Sequence, residues 1–138
     1  MSRPIYETKA DRGAATRVVD FVASVLAFSD VEELEPLHTA DFLVRKGEFE
    51  AYVEVKCRRN ASRAYPTYML SKSKYDALLE LGKPAMLVVK WSDGVGIAPL
   101  PVRHTAGRGG RWDRGDSRDV EAVVYIPLSE FQIRDVAI

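Results

Sequence analysis

Cys57 is the only cysteine in the chain of 138 residues. One thiol excludes an intramolecular disulfide and a cysteine-based zinc site, and it suits a reducing compartment. Long apolar runs are missing too. The longest, such as Ala85 to Val89, fall far short of the ~20 residues that span a bilayer. The N-terminus, Met1-Ser2-Arg3-Pro4, leads into charged residues and not into an apolar signal core. A cytoplasmic protein with no membrane partner is therefore expected. Neither sign of charge is in excess: 20 Lys+Arg stand against 20 Asp+Glu, with a pI near 6.7. That balance excludes a uniformly basic nucleic-acid coat and a polybasic membrane binder, but not a local basic surface. Histidine is scarce, and His38 and His104 have no recognisable ligand spacing and make no catalytic triad.

What remains is ordinary globular composition, 46% hydrophobic and 29% charged, in a length that suits one domain over residues 1–138. Ala14, Ala15, Val18, Val19, Val22, Val25 and Leu26 recur at three- and four-residue spacing. They predict a helix from about Ile5 to Phe28. The acidic stretch Asp30 to Glu35 reads as a short edge strand or a loop, limited by Pro36. Two segments of period two follow, Ala40 to Arg45 and Phe49 to Lys56, which predict strands. Gly47 between them meets the requirement of a type II′ hairpin turn.

Arg58 to Thr67 reads as a basic connection. Ser71 can cap a helix running to Leu81, stopped by Gly82 and Pro84. Pro84 to Trp91 predicts a strand buried on both faces, and Val95 to Leu100 another after the Ser92-Asp93-Gly94 turn. Pro101 to Asp119 reads as a long loop rich in Arg and Gly, its stretch from Arg103 to Trp112 either mobile or an ordered surface hairpin. A strand from Val120 to Ile126, one helical turn at Leu128 to Phe131 and a last short strand complete the chain. This order implies an α/β or α+β sheet with helices packed on it.

The hairpin carries the chemistry. With Gly47-Glu48 in the turn, Lys46 pairs with Phe49, Val44 with Ala51, Phe42 with Val53 and Asp41 with Glu54. Asp41, Glu54 and Lys56 then project from the face opposite the apolar one. Opposed carboxylates repel unless something lies between them, and a divalent cation such as Mg²⁺ is held by one or two carboxylates with waters and phosphate oxygens. Lys56, beside the pair, can orient or deprotonate the attacking water or stabilise charge on a phosphate. Taken alone, alternating Asp, Glu and Lys on a strand also describes an ordinary solvated face.

Asp41, twelve intervening residues, then Glu54-Val55-Lys56 resembles the PD-(D/E)XK nuclease superfamily. Ala10-Asp11-Arg12 is similar to that superfamily's acidic helix motif; archaeal-type Holliday junction resolvases carry Glu in such a place. The resemblance implies a restriction endonuclease-like α/β core, with a central mixed sheet flanked by helices in αβββαβ order. It implies Mg²⁺, with Mn²⁺ as a substitute, held by Asp41, Glu54, the Val55 carbonyl and Asp11. Glu7, one turn earlier, is the alternative helix acid. Lys56 would serve the water or the phosphate. Small junction resolvases further suggest a homodimer acting on branched DNA. Two departures stand out: Ala40 precedes Asp41 where proline is usual, and the helix acid is Asp and not Glu.

Charge placement supports a nucleic-acid partner, and the resemblance implies DNA before RNA. Lys56, Arg58, Arg59, Arg63, Lys72 and Lys74 form a run with no acid, suited to phosphate neutralisation. Arg108 and Arg111 in the Arg-Gly segment could clamp the strand, with Trp112 available for stacking. Tyr65, Tyr68 and Tyr75 read as packing residues.

Overall fold

The computed structural model describes residues 9–110 and 120–138. Glu7, Arg111 and Trp112 lie outside the described residues, and Asp11 is described only by its backbone place on the first helix. Helix α1 (Lys9–Leu26) is followed by β1 (Asp30–Glu33), β2 (Phe42–Lys46), β3 (Phe49–Cys57), β4 (Thr67–Ser71), α2 (Lys72–Leu79), β5 (Ala85–Lys90), β6 (Val95–Pro99), β7 (Thr105–Gly110), β8 (Val120–Pro127) and β9 (Gln132–Arg134). Single 3₁₀ turns lie at Ser62–Ala64 and Leu128–Glu130. The αβββαβ core is present, with β4 inserted before α2.

Six strands form one mixed sheet in the order β1-β2-β3-β5-β6-β9. Among the described residues of this sheet, only the β3–β5 pair is parallel. It joins the central strands through a crossover that contains α2, as a parallel connection requires. β5 is buried from Ala85 to Val89, as its unbroken apolar run predicts. The acidic stretch is an edge strand. Arg45 holds it, pairing with Asp30 at 2.6 Å, Glu32 at 2.8 Å and Glu50 at 2.7 Å.

Helix α1 buries Val18, Val19 and Val22 on one face of this sheet, against Phe42, Val44, Ala51, Val53, Val55, Val88 and Ile97. It ends in a Schellman motif: Ala27 takes φ 60°, and the Phe28 amide donates to Ala23 O at 2.8 Å.

A second sheet, β4-β8-β7, belongs to the opposite face. There Tyr68, Leu70, Val124 and Ile126 pack with Leu87, Val89, Trp91 and Phe131. This sheet corrects two readings. Thr67 to Ser71 is a strand that runs straight into α2 and not the end of a connection. The segment from Pro101 is not a loop throughout; the ordered alternative holds for Thr105 to Gly110, which pairs with β8 residue by residue. Two of its glycines, Gly107 and Gly109, lie where neighbours press on the strand. A Cβ on Gly107 would lie 2.4 Å from the Tyr125 ring, and one on Gly109 would lie 2.4 Å from Met69 Sδ. Among the described residues, no helix is long and apolar enough to cross a membrane.

Candidate active site

The β2–β3 register matches the one Gly47 dictates. Its φ is 60°, and Lys46 pairs with Phe49, Val44 with Ala51 and Phe42 with Val53. Ala51, Val53 and Val55 of β3 therefore enter the α1 core, while Glu54 and Lys56 face the other way. Asp41 lies one residue before β2. Its amide donates to Val53 O at 3.0 Å, and its carbonyl accepts from the Leu34 amide at 2.9 Å. The backbone is thus held from both sides, and the carboxylate Oδ2 accepts from the Val55 amide at 2.8 Å. In a strand the N–H and C=O of one residue leave by the same edge. The Val55 carbonyl therefore points toward the side on which Asp41 sits, just where β2 has ended.

Glu54 is 3% exposed. Its Oε2 lies 3.4 Å from Lys56 Nζ and 3.6 Å from Lys74 Nζ. Its other oxygen, Oε1, is buried with no hydrogen-bond partner. A buried carboxylate oxygen left in this state is costly. Burial pushes the Glu54 carboxyl up to about 7, and the negative charge of Asp41 pushes in the same direction against Lys56 and Lys74. The two acids thus bear on one another.

Such a donor set suits a hard divalent cation. Among the described residues, no group of three or more His, Cys, Asp or Glu is arranged to hold a metal. Two carboxylates and a backbone carbonyl are nevertheless the kind of ligand set Mg²⁺ uses, with water completing it. The orphaned Oε1 is the atom that a cation would satisfy. Position 11 is one turn N-terminal to Ala15, and Ala15 lines a small cleft together with Asp41, Glu33 and Glu35. The start of α1 is therefore placed toward this end of the site.

The basic residues separate into distinct positions. Lys74, read from the sequence as a phosphate contact, is held inside the site. Its Nζ donates to Thr39 O at 2.7 Å and neighbours Glu54. Ser71 caps α2 by accepting from the Lys74 amide at 3.4 Å, which fixes where Lys74 starts. Lys72 is on the outer side of α2, paired with Asp76. Arg58 extends the Glu54–Lys56 face. Its amide donates to Lys90 O at 2.7 Å, and its guanidinium donates to Tyr68 Oη at 2.8 Å. Arg59 and Arg63 are exposed on the connection after β3, and Arg108 is exposed on β7. Of the three tyrosines read as packing groups, Tyr68 and Tyr75 are buried, but Tyr65 is 63% exposed. Its place in the 58–67 connection puts it on the surface and out of either core. The sequence reading assigns Lys74 to the nucleic acid and not to Glu54, because only the crossover brings α2 over β3.

Across solved structures, the chain is similar to Hjc, a Holliday junction resolvase from the hyperthermophilic archaeon Archaeoglobus fulgidus. The TM-score is 0.55 at 16% identity, covering 89% of this chain and 92% of that one. That likeness shows a shared restriction endonuclease-like fold. No curated protein sequence matches the chain. A family model described as "Phage putative PDDEXK endonuclease" matches residues 1–134. With a match over nearly the full chain, and with Asp41, Glu54 and Lys56 gathered at the end of the β2–β3 hairpin, this protein belongs to that PD-(D/E)XK endonuclease family.

Proposed function

We propose that the protein is a Mg²⁺-dependent endonuclease that hydrolyses phosphodiester bonds of DNA. The observation that carries this reading is the buried Glu54 Oε1, unsatisfied beside Asp41 and next to two lysines. Asp41, Glu54 and the Val55 carbonyl would hold the cation, with Asp11, or Glu7 in its place, completing the set from α1. When bound, Mg²⁺ would polarise a phosphate oxygen and make water a better nucleophile; Mn²⁺ would substitute.

Each protein group has a defined task. The Asp41 backbone, held by Leu34 and Val53, orients its carboxylate in advance, which reduces reorganisation in the reaction. Lys56 Nζ, 3.4 Å from Glu54, is placed to orient the attacking water or to neutralise charge gathering on the phosphate. Lys74, tied to Thr39 O, keeps Glu54 in position. Arg58, Arg59, Arg63, Lys72, Arg108 and Arg111 would meet the backbone phosphates of the same strand. The likeness to a protein named as a Holliday junction resolvase makes branched DNA the substrate to try first. A homodimer would present two such sites to one branch point.

The test is cleavage of linear, single-stranded and branched DNA, and of RNA, with Mg²⁺, Mn²⁺ or EDTA. Metal-dependent cleavage that disappears in Asp41→Asn and in Lys56→Ala is expected. Equal cleavage in both variants would identify a contaminating nuclease and overturn the site. Salt-sensitive binding without cleavage would instead indicate a catalytically silent binding module.

A further inference from the structure

A cleft of about 360 Å³ opens beneath the connection that follows β3. Tyr65, Tyr68, Trp91 and Tyr125 supply aromatic surface to it, with Met69 and Leu128. Asn60, Ser62 and Thr67 add hydrogen-bonding groups, and Arg58 stands among the lining residues. The size and the mixture, mostly apolar with a few polar groups, are those of a ligand pocket. Its floor is rigid. Trp91 and Phe131 meet edge to face at 5.5 Å, and Tyr68 meets Trp91 at 6.4 Å. One wall is pinned: Asp93 accepts from the Ser62 amide at 2.8 Å and from Ser62 Oγ at 3.2 Å. The rim is unexpectedly apolar for an exposed surface, with Tyr65 63% and Met69 42% exposed.

We propose that this cleft takes a single unpaired nucleobase of the DNA substrate, next to the scissile phosphate; the proposal rests on the nuclease reading above. Three features select this occupant. Among the described residues, no acidic one lines the cleft, whereas Arg58 does, and Arg59 and Arg63 are exposed on its covering connection. The ligand is therefore anionic with a planar apolar part, which describes a nucleotide. Arg58 also links the cleft to the chemistry. It is two residues beyond Lys56 and one past the end of β3, about 7 Å along the chain. Its guanidinium lies 4.9 Å from the Tyr68 ring centre. Lastly, a base enters such a cleft only by leaving the helical stack, and an unpaired base does this at least cost. Tyr65 supplies the open stacking surface, and Asn60, Ser62 and Thr67 supply polar groups for a base edge.

The test compares three duplexes with the full-length protein, at fixed salt, with Ca²⁺ in place of Mg²⁺. One is fully paired, one carries a single unpaired 5-iodouracil, and one carries an abasic nucleotide at the same bulge. The bulged base should raise affinity over the abasic bulge on the order of 10-fold, the scale of one base–aromatic stack. Irradiation should crosslink it to an aromatic residue of the cleft. Tyr65→Ala should abolish the preference and Tyr65→Phe should keep it. Equal affinity for the two bulges, a crosslink outside the cleft, or an unchanged ratio in Tyr65→Ala overturns the proposal. Labelling of the cleft by free 5-iodo-dUMP but not by DNA also overturns it, and assigns the cleft to a free nucleotide. Cleavage of paired duplex with no gain from the bulge removes this proposal alone. Failure to bind or cleave any DNA removes the nuclease reading as well.

Discussion

Successive residues of β3 sit in opposite physical environments. Val53 and Val55 pack beneath α1 with Val18, Val19 and Val22. Glu54, between them, is equally buried, yet it carries an oxygen with no partner. One face contributes stability through apolar burial. The other spends part of that stability to hold a carboxylate where water would otherwise satisfy it. A strand can do both because β2 pairs with it from Phe49 to Val53 and β5 from Tyr52 to Cys57. The contrast between the faces predicts that substitutions on one should change stability alone, and on the other activity first.

The largest expected effect is on the polar face. Lys56→Ala should lower metal-dependent cleavage on the order of 10³-fold with little change in circular dichroism or melting temperature. A large loss of stability with it would erase the contrast. On the apolar face, Ile97 is 2% exposed in the α1 core. Ile97→Ala should cost about 3 kcal/mol in urea unfolding while cleavage per folded molecule is retained.

Glu54 sharpens the comparison because its two roles oppose one another. Its carboxyl is pushed up to about 7 from an ordinary 4.5, by burial first and Asp41 second. A folded-state value above the unfolded one means that metal-free folding weakens as pH rises through that interval. Glu54→Gln should therefore stabilise the protein in EDTA at about pH 8, on the order of 2 kcal/mol. At about pH 4 it should change little, and it should lose cleavage throughout. Thermal unfolding at the two pH values checks this. The smallest effect belongs to the outer basic residues. Arg59→Ala should reduce the slope of log affinity against log salt by about 1, measured by fluorescence anisotropy.

How much of this was legible varies with the range of the interactions involved. The hairpin register follows from one glycine and a period of two, because turn geometry and pleat are local. The Ser71 cap and the edge position of the acidic stretch are similarly local. The second sheet was hidden. Thr67 to Ser71 is short, alternates only through Tyr68 and Leu70, and meets α2 without a loop. β7 contains three glycines in six residues, a composition that argues for a loop until Tyr125 and Met69 are seen pressing on two of them. Tyr65 and Tyr68 are near neighbours in one aromatic segment, but only one of them faces a core.

Asp41, Glu54 and Lys56 were identifiable as partners along the chain because cross-strand pairing converts sequence spacing into proximity. The burial of Glu54, the arrival of Lys74 beside it and the cleft next to Arg58 are consequences of packing. They arise where α2 and the β4-β8-β7 sheet close over the six-stranded one, joining residues whose separation in sequence carries no period. Desolvation of a charge and the shape of a cavity depend on everything that surrounds them, and that is a property of the folded chain.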